Sequence, residues 1–123
     1  MRTVRILGQE YPARYSLRAA IAVGEKYGSI GKALLDNELD QAEALRRRCF
    51  VLREMIKAGK IWAEAEDGAT CPELPTEEEL MDRTSFREWT DVLEPMLRII
   101  NEDDKSDFEA EASEKNAEAT PGR

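Results

Sequence analysis

Side-chain character alternates along Thr3-Val4-Arg5-Ile6-Leu7, predicting a short strand. Gly8-Gln9-Glu10 then reads as a turn, and Tyr11-Pro12-Ala13-Arg14-Tyr15 as a second extended run. Pro12 cannot donate to a ladder, so it belongs at an edge or a strand start. A lone hairpin is marginal in water, so residues 1–15 must lean on helices.

From Ser16 the period changes to that of a helix. Ser16 is a good N-cap for Leu17 to Tyr27, with Gly28 placed to close that helix. Ser29 can cap a second, from about Ile30 to Leu39, anchored by Leu34 and Leu35. The strongest pattern follows Asp40. Ala42, Leu45, Cys49, Leu52, Ile56, Gly59 and Ala63 recur at spacings of three and four, with Val51, Met55, Ala58 and Trp62 in a row beside them. Together they predict a helix of about six turns with a wide apolar face, ended by Asp67-Gly68. Pro72 and Pro75 mark a loop, and Thr76 with Glu79 forms a capping-box pattern for a short helix stopping near Arg83. Thr84-Ser85 restarts a helix with Phe86, Trp89, Leu93, Met96 and Ile100 as its stripe, and Pro95 is expected to kink or split it.

The pattern stops at Asn101. Residues 101–123 hold 8 acidic and 3 basic side chains, with Phe108 the one large apolar residue. So little apolar surface cannot offset the entropy of ordering, which predicts a disordered acidic tail. The expected fold is mainly α, with a short N-terminal hairpin on about five helices. Residues 1–100 would form one domain, and residues 101–123 the tail.

Length and composition narrow the functions open to such a domain. The chain has 123 residues, 41% hydrophobic and 36% charged, room for one modest core. No apolar run approaches the roughly 20 residues of a spanning helix, and the N-terminus lacks an h-region, so the expected location is the cytoplasm, away from membranes. The net charge of −8 hides a division: residues 1–60 carry +5 and residues 61–123 carry −13. A chain so acidic overall is not expected to bind nucleic acid.

Catalytic chemistry finds few candidates. With no histidine, the commonest general base and metal ligand is missing. Cys49 and Cys71 alone make a poor zinc site. Cys49 reads as core, Cys71 as an exposed loop thiol, and both as reduced in a cytoplasm. Glu77, Glu78 and Glu79 fit a helix N-terminus, and Asp103, Asp104 and Asp107 lack the glycine and closing glutamate of a calcium loop. No phosphate loop is present. No cofactor, no metal and no enzymatic activity are expected. Arg46-Arg47-Arg48 points in three directions on a helix and reads as a solvated face paired with Glu43 and Glu54. Trp62 and Trp89 each lie in an apolar stripe and read first as core.

One reading points outward. Two helices with broad apolar faces exceed what about 100 residues easily enclose, so self-association or a helical partner is expected to take the excess. Arg46, Cys49, Phe50, Arg53, Ile56 and Trp62, on the long helix, are the candidate partner-binding residues.

The order of short motifs resembles a known family. Arg5-Ile6-Leu7-Gly8-Gln9-Glu10-Tyr11-Pro12-Ala13-Arg14-Tyr15-Ser16-Leu17-Arg18-Ala19, closing in Glu25-Lys26-Tyr27-Gly28-Ser29, is similar to the start of tail assembly chaperones of long-tailed phages and prophages. Lys57-Ala58-Gly59, Pro75-Thr76-Glu77-Glu78-Glu79-Leu80 and Lys115-Asn116-Ala117-Glu118-Ala119-Thr120 extend the likeness along nearly the whole chain. The resemblance implies a helical protein that multimerises and coats the tape-measure protein until tail-tube subunits polymerise around it. It also implies absence from the finished virion and a longer form made by ribosomal frameshift. Thr120-Pro121-Gly122 can be encoded as ACC-CCG-GGN, a slippery run, so the codons of the gene check that expectation. The readings set beside it are a small helical adaptor or regulator and a head–tail connector component.

Overall fold

The computed structural model describes residues 2–119, with side chains placed for residues 2–103. Its described residues form two strands and five helices: β1 (Thr3–Ile6), β2 (Gln9–Pro12), α1 (Leu17–Tyr27), α2 (Ile30–Leu34), α3 (Gln41–Glu66), α4 (Glu77–Arg83) and α5 (Phe86–Ala119). The fold is mainly α with an N-terminal antiparallel hairpin.

The strands pair in the register Val4 with Tyr11 and Ile6 with Gln9. Val4, Ile6 and Tyr11 face inward and are buried, while Arg5 opposes Glu10 on the outer side. The turn differs from the expected Gly8-Gln9-Glu10. It is the two-residue turn Leu7-Gly8, with φ of 57° and 70°. Positive φ at both central residues suits the twist of a tight hairpin, at a cost of about 1 kcal/mol for leucine. Two contacts offset that cost. Leu7 packs on the core, and its N–H donates to Glu88 Oε2 at 3.1 Å. The second extended run is also shorter than expected, because the Arg14 N–H turns to the Met55 carbonyl of α3, at 3.0 Å, instead of a strand.

Each helix start follows the caps legible in the chain. Ser16, Ser29, Asp40 and Thr76 accept from the backbone N–H three residues on, and Thr76 with Glu79 completes a capping box. Ser85 and Glu88 make a further reciprocal pair at the start of α5, with distances of 3.2 and 3.3 Å. α2 ends earlier than expected, at Leu34. The Asp36 carboxylate accepts the Glu38 N–H at 3.0 Å, a local bond that competes with continuing the helix, and Leu35 is left exposed.

α3 is the hub, packing on α1, α2, α4 and β2, while α5 packs on β1. Cys49, Leu52, Ile56, Gly59 and Ala63 are buried, as are Val51 and Met55. The α5 stripe has a different phase from the expected one. Trp89, Val92, Met96, Ile99 and Ile100 are buried, whereas Phe86 lies outside. α5 is not split at Pro95. The carbonyl that loses its donor there belongs to exposed Asp91, where water can replace the missing N–H.

The packed body reaches past the boundary expected at residue 100. Asp103 accepts the Tyr15 N–H and pairs with Arg2, and Glu102 pairs with Arg2 at 3.0 Å. The tail expected to be disordered spans residues 101–123; instead α5 continues through residues 101–119, the structure gives the backbone alone for residues 104–119, and residues 120–123 lie outside the described ones. Among the described residues no helix is long and apolar enough to cross a membrane.

Candidate functional site

The six candidate residues on α3 do not form one surface. Cys49 and Ile56 are 1% exposed and belong to the core. Phe50 is half-buried and meets Tyr27 edge-to-face, with ring centroids 5.5 Å apart, under the Lys26 ammonium at 4.5 Å. Arg53 reaches across to the loop, where its Nε donates to the Pro75 carbonyl at 3.0 Å. Only Arg46 and Trp62 are exposed, about four turns apart on the helix.

The arginine run spreads around α3. Arg46 and Arg47 pair with Glu43 at 3.5 and 3.0 Å, and Arg47 also donates to the Lys32 carbonyl. Arg48 differs from a solvated residue. It is half-buried and donates from Nη1 to the Trp89 carbonyl at 3.3 Å, and desolvation lowers its pKa from the usual arginine range. It therefore ties α3 to the start of α5.

Beside that tie lies an apolar groove of about 250 Å³, between the N-terminal half of α3, the end of α4 and the start of α5. Leu45, Cys49 and Trp89 line it from within, and Met81 and Phe86 from outside. Arg46 stands at its edge. Phe86 is 62% exposed and Met81 47%. The phase of α5 explains this. Phe86 is its first residue, at the cap rather than over β1, and the stripe of 89, 92, 96 and 99 turns it away from the core. Met81 adjoins the fully buried Leu80 on a two-turn helix and takes the outer side. By spacing alone Phe86 belongs to the core stripe, because residues 86, 89 and 93 also fit spacings of three and four. Met81 gave no periodic signal.

The other exposed candidate, Trp62, borders a smaller groove between α1 and α3, with Ala19, Ala58 and Ile61. Trp62 does not join the core of its apolar row: it is 46% exposed, and the Arg14 guanidinium covers its ring at 3.9 Å from the centroid. Trp89, in contrast, is core.

The Cys49 thiol is not placed for nucleophilic chemistry. Cys49 is buried against the Glu77 carbonyl, and burial pushes its pKa up to about 11. It stays protonated at neutral pH. Cys71 is half-buried in the loop rather than fully exposed. A thiol reagent is expected to modify Cys71 alone in the folded protein, and both cysteines once it is denatured, as mass spectrometry would show. Because the folded pKa is the higher one, the burial of neutral Cys49 stabilises fully below pH 9. That contribution is lost as pH rises from 9 through about 11.

Among the described residues, no group of three or more His, Cys, Asp or Glu side chains is placed to hold a metal ion. No protein-family model, curated protein or solved structure matches this chain.

Proposed function

We propose that this chain is a tail assembly chaperone of the long-tailed phage type, acting by binding rather than by chemistry. In this reading it works in the host cytoplasm, holds apolar stripes of the helical tape-measure protein and helps recruit tail-tube subunits. It then leaves before the virion is complete. The observation that carries the reading is the groove between α3, α4 and α5, where Phe86 and Met81 are offered to solvent over Leu45 and Trp89. An amphipathic helix laid on such a groove inserts side chains spaced three and four apart, which suits a long helical client. The ordered likeness of Arg5 through Ser29 to the family's opening supports the same reading.

The test is co-expression with the very long helical product of a neighbouring gene. Wild-type protein is expected to bring that product into the soluble fraction, and Phe86→Glu to leave it insoluble. Phe86 is too exposed for this change to cost more than about 0.5 kcal/mol of stability. No rescue by wild type, or equal rescue by the variant, refutes the proposal. Mass spectrometry of purified virions is expected to lack the chain, which separates a chaperone from a connector.

A further inference from the structure

We propose that the α1–α3 groove is a second docking site, for an acidic peptide segment that presents an apolar side chain. It is separate from the groove assigned above and does not rest on that reading. The cleft holds about 130 Å³, with Ala19 and Ala58 lining it and Ile61 and Trp62 exposed by 56% and 46%. Small residues on the two facing helices leave the space, and the two large ones offer apolar surface to whatever enters.

Charge decides what enters. Arg18 and Lys57 border the cleft, and both are exposed without an ion-pair or hydrogen-bond partner among the described residues. Arg2, Arg14, Arg46, Arg47, Lys60, Arg83 and Arg98 each have a carboxylate within 4.0 Å, and Arg5, Lys32 and Arg87, which like Arg18 and Lys57 have none among the described residues, line neither of the two apolar grooves. Glu54 is the one carboxylate residue that lines the cleft. The first turn of α1, which borders it, contains no acid. A neutral apolar helix seated here would crowd two cations without supplying partners, which is costly. A basic peptide would be repelled. An acidic segment supplies the missing carboxylates while its apolar residue enters between Ile61 and Trp62.

The Trp62 ring is held before any ligand arrives. Arg14 lies over it, and the Arg14 guanidinium is 3.9 Å from the Asp103 carboxylate. Asp103 in turn accepts the Tyr15 N–H at 2.7 Å. Fixing an anchor in advance reduces the ordering cost of binding.

The experiment is fluorescence anisotropy with a labelled peptide that has a central Phe-Leu flanked on both sides by Asp and Glu. The control peptides replace the acids with Lys or with Ser. Binding of the acidic peptide is expected to weaken at least about fivefold in the double variant Arg18→Glu, Lys57→Glu, and at least as much in Trp62→Ala. It should fall with added salt and be unchanged in Phe86→Glu. Thermal melts check that the exposed substitutions leave the fold intact. No binding of the acidic peptide overturns the proposal. So do equal binding of the Ser peptide, an unaffected double variant, and equal loss in Phe86→Glu. A self-association of the wild type that the double variant abolishes would make a second copy the occupant, and also overturns it.

Discussion

Replacing Gly59 with alanine is expected to destabilise the protein by about 3 kcal/mol and to lower Tm by roughly 10 °C or more. A Cβ there would sit 2.3 Å from the Ala13 nitrogen and the Pro12 carbonyl carbon, and 2.4 Å from the Pro12 oxygen. All three are backbone atoms, so no rotamer change relieves the clash. The hairpin exit must move off α3, which strains the Arg14 N–H bond to the Met55 carbonyl and the Ala13 N–H bond to the Arg2 carbonyl. Gly24, inside α1, is the contrast. Nothing lies within 4 Å of its Cβ position, so Gly24→Ala should stabilise by roughly 0.5–1 kcal/mol, the ordinary helix preference. Denaturant melts of both variants give the comparison. A Gly59→Ala protein as stable as wild type would mean that hairpin and helix do not approach this closely.

The second large effect is expected at Asp103. Its side chain is 11% exposed, and its two oxygens serve the Arg2 guanidinium, the Tyr15 N–H and, more distantly, Arg14. Asp103→Ala leaves a backbone donor and a guanidinium without that acceptor, at a cost of about 2–3 kcal/mol. The arginines are about a third exposed and recover some solvation, which keeps the cost from being larger. Asp103→Asn retains an acceptor oxygen and should lose less. Ending the chain after Ile100 should be as harmful as the alanine variant, whereas ending it after Asp104 should be mild. Equal stability of the two truncated chains would place the edge of the packed body before Asp103.

These two sites show which parts of the fold the chain makes legible. Local rules were sufficient for the helix starts: Ser16, Ser29, Asp40 and Thr76 each satisfy an N–H three residues away, within reach of a short window. The buried row of Cys49, Leu52, Ile56, Gly59 and Ala63 was also legible, because one long helix repeats the signal. What was hidden depends on partners far along the chain. Glu88 meets Leu7 across 81 positions and Asp103 meets Tyr15 across 88, and no local pattern announces either. The phase of α5 was ambiguous because Val92 and Leu93 both follow Trp89 at helical spacing, and only the packed fold shows that Val92 is the buried one. That choice turns Phe86 outward and creates the α3–α4–α5 groove, so the more exposed apolar cleft was not readable beforehand. Of the residues nominated on α3, Arg46 and Cys49 border that groove and Trp62 the other. Phe50, Arg53 and Ile56 instead hold elements together.

The claim on which the functional account turns is that an apolar helical client rests against Phe86. Its most direct measurement is a photo-reactive phenylalanine analogue placed at position 86 and, as a control, at exposed position 98 further along α5. A crosslink to the co-expressed tape-measure protein is expected from position 86 and none from position 98. A silent position 86, or equal crosslinking from both positions, would contradict that claim.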